Sequence, residues 1–386
     1  MGKKVAVLLT SSPHDGGQHQ YLLTMMDALA KGQNNGYILL GICCSRFWVE
    51  WCKKNEIKYV LHHLRRFSIN EMNKKSKYVD LKKWFNLYCT ELGKIVRNEK
   101  IDLLIGGQQE TYIPKMNCKI ISLIHDLMHR YEGRFHEIGV NYDDHEALYG
   151  GMARIADVMI VDSELGKKQL QECYGKYLKK TTIEVLPFVA PPYIVKSKEE
   201  YINVPKDYVF YPAQFWRHKN QINLVKAIKI IQDKGIDISL ILVGSEKNSI
   251  EMINGYINRN RLSQKVIIMG YVTNEQIVYL YKNALALVMP SYFGPTNIPP
   301  LEAMALGCPA IVSNNYAMGE QVGDAGLLFD PDSPEEIAEC ILSIYKNPIK
   351  RDEMIRKGYE RTQNWSTIQF EEKFVEIVLK VLNGRG

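Results

Sequence analysis

A loop, a helix and a buried strand are predicted in direct succession within Ser291-Tyr-Phe-Gly-Pro-Thr-Asn-Ile-Pro-Pro-Leu-Glu-Ala-Met-Ala-Leu-Gly-Cys-Pro-Ala-Ile-Val-Ser313. The apolar run 285–289 before it ends a strand, and residues 294–300 favour turns. Pro300 is typical of a first helical turn, so we expect a helix to begin there. Its unpaired N–H groups and positive dipole end would attract a phosphate group without a lysine or a metal.

Glu302 lies in the first turn of this predicted helix. A carboxylate there can accept hydrogen bonds from two hydroxyls of a ribose, and it can equally stabilise the helix end with no ligand bound. The stretch is therefore predicted to bind a nucleoside diphosphate through its loop and helix, and both roles of Glu302 stay open.

Short apolar runs alternate with helical patterns along most of the chain, which predicts parallel strands buried on both faces. These runs are residues 5–9, 37–43, 103–105, 120–124, 158–161 and 183–186, then 208–211, 238–243, 266–269, 286–289 and 309–312. Residues 187–205 interrupt the pattern and are predicted to be a linker. We therefore expect an α/β protein with two doubly wound, Rossmann-like domains that face each other across a ligand-binding cleft.

The composition is that of a soluble globular protein, with 46% hydrophobic and 24% charged residues. No apolar run approaches the roughly 18 residues that a membrane-spanning helix needs. The apolar run near the N-terminus stops at polar residues 11–14 without a cleavage pattern, which predicts a buried strand rather than a signal peptide. The 8 cysteines, with Cys43 and Cys44 adjacent and no Cys-x-x-Cys spacing, indicate neither a disulfide framework nor a zinc site, which fits the cytoplasm.

Positive charge is concentrated in residues 53–83, where ten Lys or Arg residues stand against three acids, although the whole chain carries only +6. So mild a net charge does not indicate a nucleic-acid partner. Aromatic residues interleave with these charges, a mixture that suits an anionic membrane face or the pyrophosphate of a lipid-linked acceptor. A solvated surface explains the segment as well. The first interpretation predicts peripheral contact with the inner face of the plasma membrane.

Two groups of residues in the first half follow predicted strands, where ligands of doubly wound sheets bind. Gly16 and Gly17 permit a close backbone approach to an anion, or they form a simple tight turn. His125 and Asp126 can contact a ligand, or the histidine can be satisfied within the protein. His129 stands four residues after His125, but no third ligand is near in sequence, so we expect no metal site.

The stretch 291–313 resembles the donor-binding signature of glycosyltransferase family 4, whose members are retaining enzymes with the GT-B fold. The usual signature has one glutamate, seven further residues and a second glutamate. Glu302 matches the second glutamate, whereas Gly294 stands in place of the first. In the family the first carboxylate generally holds hydroxyls of the donor sugar, so the resemblance leaves that task to Thr296 and Asn297.

The segment 211–220, Tyr-Pro-Ala-Gln-Phe-Trp-Arg-His-Lys-Asn, resembles the second donor motif of the family, in which an arginine and a lysine neutralise the donor diphosphate. Lys219 matches the lysine, and Gln214 stands at the arginine position with Arg217 nearby to compensate. Lys219 would stabilise the negative charge that builds on the diphosphate as the glycosidic bond breaks, which makes it the expected main catalytic residue. A surface cation beside a helix is the alternative.

The resemblance extends to the first half at two motifs. Gly16 and Gly17 match a loop that the family places beside the donor phosphates and the acceptor. His125 matches a histidine that contacts the donor sugar, and Asp126 can orient it or the acceptor hydroxyl. The resemblance implies an acceptor-binding domain over residues 1–190, a donor-binding domain over residues 205–364, and a helix over residues 365–386 that crosses back onto the first domain.

The activity implied is that of a retaining, metal-independent glycosyltransferase without a cofactor. It would move a hexose from a nucleotide-diphosphate sugar to a hydroxyl of a saccharide or lipid-linked saccharide, in cell-surface polysaccharide biosynthesis. The amides of Asn297 and Ile298 would help Lys219 to stabilise the diphosphate. Two alternatives use the same fold. A nucleotide-sugar epimerase would need carboxylates in the first domain that act as general acid and general base. A catalytically silent nucleotide-binding subunit is favoured by Gly294 and Gln214, which both depart from the charged residues of the family.

Overall fold

The computed structural model describes residues 2–13, 16–62, 81–109, 112–294 and 297–384, and of residues 81–86 only the backbone. Its chain forms two compact units. The first comprises Met1–Gly133, Ile138–Pro187 and Ile368–Gly386, and the second comprises Arg134–Glu137 and Phe188–Thr367.

The first unit contains a seven-stranded sheet in which neighbouring strands are parallel. Its strands are β1 (Lys3–Leu9), β2 (Tyr37–Cys43), β3 (Lys58–Leu61), β4 (Leu103–Gly106), β5 (Lys119–Leu123), β6 (Val158–Val161) and β7 (Thr182–Val185). Their order across the sheet is β3-β2-β1-β4-β5-β6-β7. The direction of winding therefore reverses between β1 and β4, which is the point where such sheets bind ligands.

Helices cover this sheet and connect its strands. The α-helices are Gly17–Gly32, Arg46–Lys54, Leu81–Glu99, Met128–Tyr131, Tyr142–Ile155, Glu164–Tyr174 and Thr367–Leu382, and a 3-10 helix spans Gln33–Asn35. A further short helix, His136–Gly139, begins within Arg134–Glu137, which belongs to the second unit. The last α-helix packs on the first unit, since Lys3 Nζ donates to the carbonyl of Leu382 and the ring of Phe370 lies 5.7 Å from that of Tyr21.

The second unit repeats this plan with six parallel strands. They are β8 (Tyr208–Pro212), β9 (Ser239–Val243), β10 (Val266–Met269), β11 (Ala286–Met289), β12 (Ala310–Ser313) and β13 (Gly326–Phe329). Their order is β10-β9-β8-β11-β12-β13, so the winding reverses between β8 and β11. The sequence motifs after β8 and β11 therefore meet at one edge of the sheet.

The helices of the second unit follow its strands in the alternation expected of a doubly wound sheet. They are Pro192–Lys196, Gln221–Asp233, Ile250–Arg259, Asn274–Asn283, Ile298–Ala305, Met318–Val322, Pro334–Tyr345 and Pro348–Asn364, with 3-10 turns at Arg217–Lys219 and Gly323–Ala325. In the part of the chain that the structure describes, no helix combines the length and the apolar character needed to cross a bilayer.

The eleven predicted strands are all present, each within two residues of its predicted bounds. Continuous apolar runs produced these predictions, and the runs are buried: residues 5–9 of β1, for example, are fully inaccessible to solvent. Two strands were missed, β3 and β13. Both lie at the edge of a sheet and are only partly buried, and their apolar runs, residues 59–61 and 327–329, are only three residues long.

Candidate functional site

The loop after β11 is held by polar contacts at the carboxyl ends of two neighbouring strands. Ser313 at the end of β12 donates its hydroxyl to the carbonyl of Ser291 at 2.7 Å. Ser291 Oγ in turn donates to the carbonyl of Phe293 at 2.9 Å, and Asn315 Nδ2 donates to the carbonyl of Tyr292 at 3.1 Å. These bonds satisfy the loop carbonyls internally and fix the path of the chain toward the following helix.

The helix after this loop begins at Ile298, two residues before the predicted start at Pro300. Asn297 is its N-cap residue, with φ −140° and ψ 151°, and the two prolines occupy the next positions, where no amide hydrogen is needed. Glu302 consequently lies in the second turn, and the first turn contains no acidic residue. The prediction that Glu302 stands in the first turn was therefore wrong.

Glu302 is buried, with 6% of its surface exposed, and both carboxylate oxygens accept a tyrosine hydroxyl. Tyr193, from the helix that opens the second unit, donates to Oε1 at 2.9 Å. Tyr281 donates to Oε2 at 2.8 Å. Burial raises the pKa of Glu302, and the two hydroxyls act in the opposite direction by stabilising the carboxylate. No sequence motif indicates that Tyr193 and Tyr281 belong to this site, because they lie 109 and 21 residues away along the chain.

The backbone of Asn297 is held by the side chain of Gln321. Asn297 N donates to Gln321 Oε1 at 2.9 Å, and Gln321 Nε2 donates to the carbonyl of Asn297 at 2.6 Å. Arg361 fixes the clamping residue, since its Nε donates to the carbonyl of Gln321 at 2.5 Å. The amide of Asn297, predicted to contact a diphosphate, therefore has a protein acceptor in this structure. The amide of Ile298 begins the helix, and Thr296 lies outside the described residues.

Gly294 has a backbone φ of +106°, a conformation that side-chain-bearing residues rarely adopt. Asn297 Nδ2 lies against it and donates to its carbonyl at 3.4 Å. The departure from the usual glutamate at this position thus accompanies a backbone shape that a glutamate would strain.

The second predicted donor motif forms the 3-10 turn Arg217–Lys219 after β8. The backbone of Tyr292 donates to the carbonyl of His218 at 2.9 Å, and the Lys219 ammonium lies 5.8 Å from the centre of the Phe293 ring. The turn therefore packs directly against the loop after β11. Within the second unit, the structure brings together the two motifs that the sequence separates by about 70 residues.

Gln214 and Arg217, the residues at and near the arginine position of this motif, are both exposed. The side-chain oxygen of Gln214 accepts from Trp216 Nε1 at 2.9 Å. The backbone amide of Arg217 donates to Asn248 Oδ1 at 3.0 Å. Asn220 closes the turn in the left-handed conformation, with φ +57°, and its side chain donates to the carbonyl of Pro290 at 3.1 Å. Asn220 therefore ties the turn to the end of β11 from its other side.

In the first unit, Gly16 caps the helix Gly17–Gly32 with φ +59° and ψ −127°. The loop before it is held by a buried pair, because Ser11 Oγ lies 2.9 Å from His19 Nδ1. Gly17 is the first helical residue, and no acidic residue lies in that first turn. The structure thus places the glycine pair at a helix N-terminus beside the carboxyl end of β1, and its role in binding stays a prediction.

His125 and Asp126 follow β5 and are clamped by Gln109, which the sequence did not indicate. Gln109 Oε1 accepts from the backbone amides of His125 at 2.5 Å and Asp126 at 3.0 Å. Its Nε2 donates to Tyr149 OH at 2.7 Å and to the carbonyl of Asp126 at 3.2 Å. One buried amide side chain therefore fixes the backbone of both predicted site residues.

The His125 ring packs edge-on against Tyr21, with ring centres 4.8 Å apart. Tyr21 belongs to the helix that starts at Gly17, so the two predicted motifs of the first unit meet through this contact. Burial lowers the pKa of His125 to about 4, which leaves the imidazole neutral near neutral pH. The Asp126 carboxylate accepts from the backbone amide of Met128 at 3.2 Å.

His129 points into a different cluster. Its Nε2 lies 2.8 Å from Glu146 Oε1, which also accepts from Tyr174 OH at 2.8 Å and from Arg130 Nε at 2.5 Å. Because His129 is bonded to a carboxylate that other donors share, this cluster is a hydrogen-bond network that joins three helices of the first unit, Met128–Tyr131, Tyr142–Ile155 and Glu164–Tyr174.

Residues 193–361 match the protein family described as Glycosyl transferases group 1. The matched range lies within the second unit and contains both donor motifs. The resemblance to glycosyltransferases is therefore confirmed over residues 193–361.

Named relatives cover part of the chain. It is 27% identical over 195 residues to the O-antigen chain mannosyltransferase B of Escherichia coli, which covers 50% of this chain and 49% of that protein. It is 30% identical over 133 residues to the O-antigen chain mannosyltransferase RfbU of Salmonella typhimurium, which covers 34% of this chain and 37% of that protein. The chain thus spans about half, or less, of the length of these relatives.

Solved structures share the fold along nearly the whole chain. Sucrose-phosphate synthase from Thermosynechococcus elongatus matches with a TM-score of 0.74 over 99% of this chain and 100% of that chain, at 17% identity. The Anabaena protein Alr3699/HepE, solved in complex with UDP-glucose, matches with a TM-score of 0.66 over 98% of this chain and 99% of that chain, at 16% identity. These likenesses confirm the predicted GT-B fold class of two doubly wound domains.

Proposed function

We propose that this chain is a retaining glycosyltransferase that moves a hexose from a nucleotide-diphosphate sugar to a hydroxyl of a saccharide or lipid-linked saccharide, in the synthesis of a cell-surface polysaccharide. One observation carries the proposal. The turn Arg217–Lys219 packs on the loop after β11, so that the Lys219 ammonium lies 5.8 Å from the Phe293 ring, in the loop that leads to the N-terminus of the helix Ile298–Ala305.

Lys219 and the N-terminus of the helix Ile298–Ala305 would both supply positive charge to the diphosphate. Negative charge builds on the diphosphate as the bond to the sugar breaks, and fixed donors that meet it lower the barrier. A lysine and a helix end can do this without a metal ion, and we propose a metal-independent reaction without a cofactor. Lys219 is the catalytic residue of the second unit in this scheme, with Gln214 and Arg217 beside it.

Glu302 would hold the ribose hydroxyls of the donor. Each of its oxygens already accepts one tyrosine hydroxyl, and an ionised carboxylate oxygen can accept a second hydrogen bond. Tyr193 and Tyr281 would keep the carboxylate in one orientation, so that a ribose meets a preformed acceptor.

His125 and Asp126 are the residues of the first unit that we assign to sugar hydroxyls. The lowered pKa of His125 makes it a neutral imidazole near neutral pH, which can donate one hydrogen bond and accept another. Gln109 fixes the backbone of both residues and so limits where their side chains can reach. Gly16 and Gly17 present the amides of a helix N-terminus for the donor phosphates.

We take mannose as the first donor sugar to test, because two relatives are named mannosyltransferases of the O-antigen chain. A UDP-sugar is the second, because a protein of the same fold was solved with UDP-glucose. The side-chain amide of Asn297 lies beside Gly294, at the position where the family has a carboxylate. It is neutral, and it would both accept hydrogen bonds from sugar hydroxyls and donate hydrogen bonds to them.

We also propose that residues 53–83 contact the anionic inner face of the membrane, where a lipid-linked acceptor would lie. Residues 63–80 of this segment lie outside the described residues, but the described part supports the proposal. Lys53, Lys54 and Lys58 are exposed, and Leu61 is 50% exposed beside them. Sedimentation with vesicles of phosphatidylglycerol and phosphatidylcholine should carry the protein down, whereas vesicles of phosphatidylcholine alone should not. Equal sedimentation with both would contradict the proposal.

A thermal-shift screen against UDP, GDP, dTDP, ADP and CMP tests the donor site. A ligand at 100 times its dissociation constant adds about 2.7 kcal/mol of stability to a protein that binds it only when folded. One diphosphate should stabilise the wild type and the exposed-surface variant Lys234→Ala, and it should stabilise Lys219→Ala much less. Stabilisation by none of the five would contradict the transferase proposal, and binding without release of sugar would indicate the silent nucleotide-binding subunit.

A further inference from the structure

Glu137 is a buried acid that the proposed reaction has not used. It lies in Arg134–Glu137, four residues that belong to the second unit although the chain on either side of them belongs to the first. Its side chain is 7% exposed. Glu137 Oε1 accepts from the backbone amide of His218 at 3.2 Å and lies 2.9 Å from His218 Nδ1, and Oε2 accepts from Asn248 Nδ2 at 2.8 Å.

These contacts cap the N-terminus of the turn that contains Lys219. The first amides of a 3-10 turn have no acceptor within the turn. Here the amide of His218 is bonded to Glu137, and the amide of Arg217 is bonded to Asn248, which is itself held by Glu137. A carboxylate at this end also interacts favourably with the dipole of the turn.

The charge states fix the direction of the bond between Glu137 and His218. Burial alone would raise the pKa of Glu137, but hydrogen bonds from His218 and Asn248 outweigh it and hold the pKa at about 2. Burial, with Lys219 nearby, lowers the pKa of His218 to about 4. Near neutral pH an ionised carboxylate can only accept, so the neutral imidazole carries its hydrogen on Nδ1.

His218 passes this constraint to the loop after β11. Its ring stacks on the Phe293 ring with centres 4.1 Å apart and planes 21° apart, and its carbonyl accepts from the amide of Tyr292 at 2.9 Å. Lys219 is the next residue along the chain. Glu137 therefore holds His218, which contacts the loop after β11. The next residue, Lys219, is the one that would meet the diphosphate.

We propose that Glu137 is a positioning residue for Lys219, because it anchors the turn Arg217–Lys219 through His218 and Asn248 at the place where a nucleotide-sugar diphosphate departs. The inference rests on the proposed function. It assigns to Glu137 no contact with substrate. Its effect on turnover should therefore depend on the presence of Lys219.

Glu137→Gln is the test substitution. Glutamine keeps the shape but has one acceptor oxygen and one amide donor, so one of the donors that face Glu137 must meet another donor. Asn248→Ala is the second variant, which removes the bond to Arg217 and keeps Glu137. Glu360→Gln, on an exposed face of the helix Pro348–Asn364, is the matched control.

Amide hydrogen exchange reads the anchoring without any requirement for activity. Peptides covering residues 215–221 and 290–294 should exchange about tenfold faster in Glu137→Gln than in the wild type, because a local opening of the turn becomes easier. Asn248→Ala should accelerate them to a smaller extent, and Glu360→Gln should leave them unchanged. Wild-type exchange in both Glu137→Gln and Asn248→Ala would overturn the proposal.

Turnover measurements test whether the anchoring of the turn by Glu137 acts through Lys219. With GDP-mannose and UDP-glucose as probes, kcat/KM for nucleoside-diphosphate release should fall about tenfold in Glu137→Gln, and in a Lys219→Ala background the same change should have less than about a twofold effect. Equal effects in both backgrounds would overturn the link to Lys219. No turnover by the wild type would contradict the proposed function and this link together, and the exchange result would still decide whether Glu137 anchors the turn.

Discussion

A Cβ atom at Gly294 would lie 2.5 Å from the side-chain nitrogen of Asn297. Carbon and nitrogen atoms that are not bonded to each other do not approach so closely. The glycine that replaces the usual glutamate of the donor signature therefore leaves the space that the Asn297 side chain occupies. The two residues form a matched pair, and a larger residue at position 294 is expected to require a movement or a change of Asn297.

Gly294→Ala should destabilise the protein more than a glycine substitution that introduces backbone strain alone. Gly235→Ala supplies the comparison, because Gly235 has φ +74° and a Cβ there meets nothing within 4 Å. Strain should reduce the free energy of unfolding by about 1–2 kcal/mol in both variants. The overlap with Asn297 should add roughly 1–3 kcal/mol in Gly294→Ala. Urea unfolding measures both, and equal losses would show that the Asn297 side chain moves away freely.

Glu302→Gln should remove a pH dependence of stability. The raised pKa of Glu302 means that the folded protein holds this proton more tightly than the unfolded chain does. Its contribution to stability is therefore present below about pH 4.5 and is lost as the pH rises through the folded-state pKa. As the pH rises through the folded-state pKa, the unfolding free energy of the wild type should therefore fall relative to that of Glu302→Gln.

Tyr281→Phe extends this test. Loss of one hydroxyl that stabilises the carboxylate should raise the pKa of Glu302 further, and the unfolding free energy near pH 7 should fall by about 1.5–3 kcal/mol.

Glu360→Gln, an exposed acid-to-amide change, is the control for the Glu302→Gln difference. A difference that does not vary with pH would contradict the raised pKa of Glu302.

The central strands and both donor motifs were predictable because their signals are local. A buried parallel strand is a continuous apolar run, and Lys219 or Glu302 can be found within a short motif. The edge strands β3 and β13 have apolar runs of only three residues and are partly exposed, so this signal is weaker in them. The helix start was misplaced because a proline is accepted at any of the first helical positions, so two successive prolines do not fix which residue is the first.

The residues that support the site were not predictable for a different reason. Gln109, Tyr193 and Glu137 each bond a site residue that is between 16 and 109 residues away along the chain. A glutamine, a tyrosine or a glutamate has no distinctive local pattern, so only the folded chain shows which ones are buried against a functional group. The same holds for Gln321, whose side chain accepts a hydrogen bond from the backbone amide of Asn297. The sequence predicts that this amide binds a phosphate group.

Gln109→Ala should destabilise the first unit and disturb His125. The substitution leaves the amides of His125 and Asp126 without their acceptor, and a buried polar group without a partner costs about 1–3 kcal/mol. Urea unfolding should show this loss, and Gln171→Ala, at an exposed position of the helix Glu164–Tyr174, should show almost none. A loss in Gln109→Ala no larger than in Gln171→Ala would contradict the clamp.

His125→Gln should make the protein less sensitive to acid. Burial lowers the pKa of His125 to about 4 in the folded state, so below about pH 6.5 the unfolded chain binds a proton that the folded protein does not. The wild type should therefore lose up to about 3 kcal/mol of stability as the pH falls from about 6.5 to about 4 through this one group. The variant should lose correspondingly less, as measured by urea unfolding across this range. Parallel pH profiles would show that His125 titrates normally.

The most direct test of the donor site is the release of nucleoside diphosphate from GDP-mannose and UDP-glucose by the wild type, Lys219→Ala and Lys234→Ala. We expect the wild type and Lys234→Ala to release one nucleoside diphosphate at similar rates. Lys219→Ala should release it about 100-fold or more slowly, as when one fixed donor to a developing negative charge is removed. Release by Lys219→Ala at the wild-type rate would contradict the assignment of Lys219 and of the site around it.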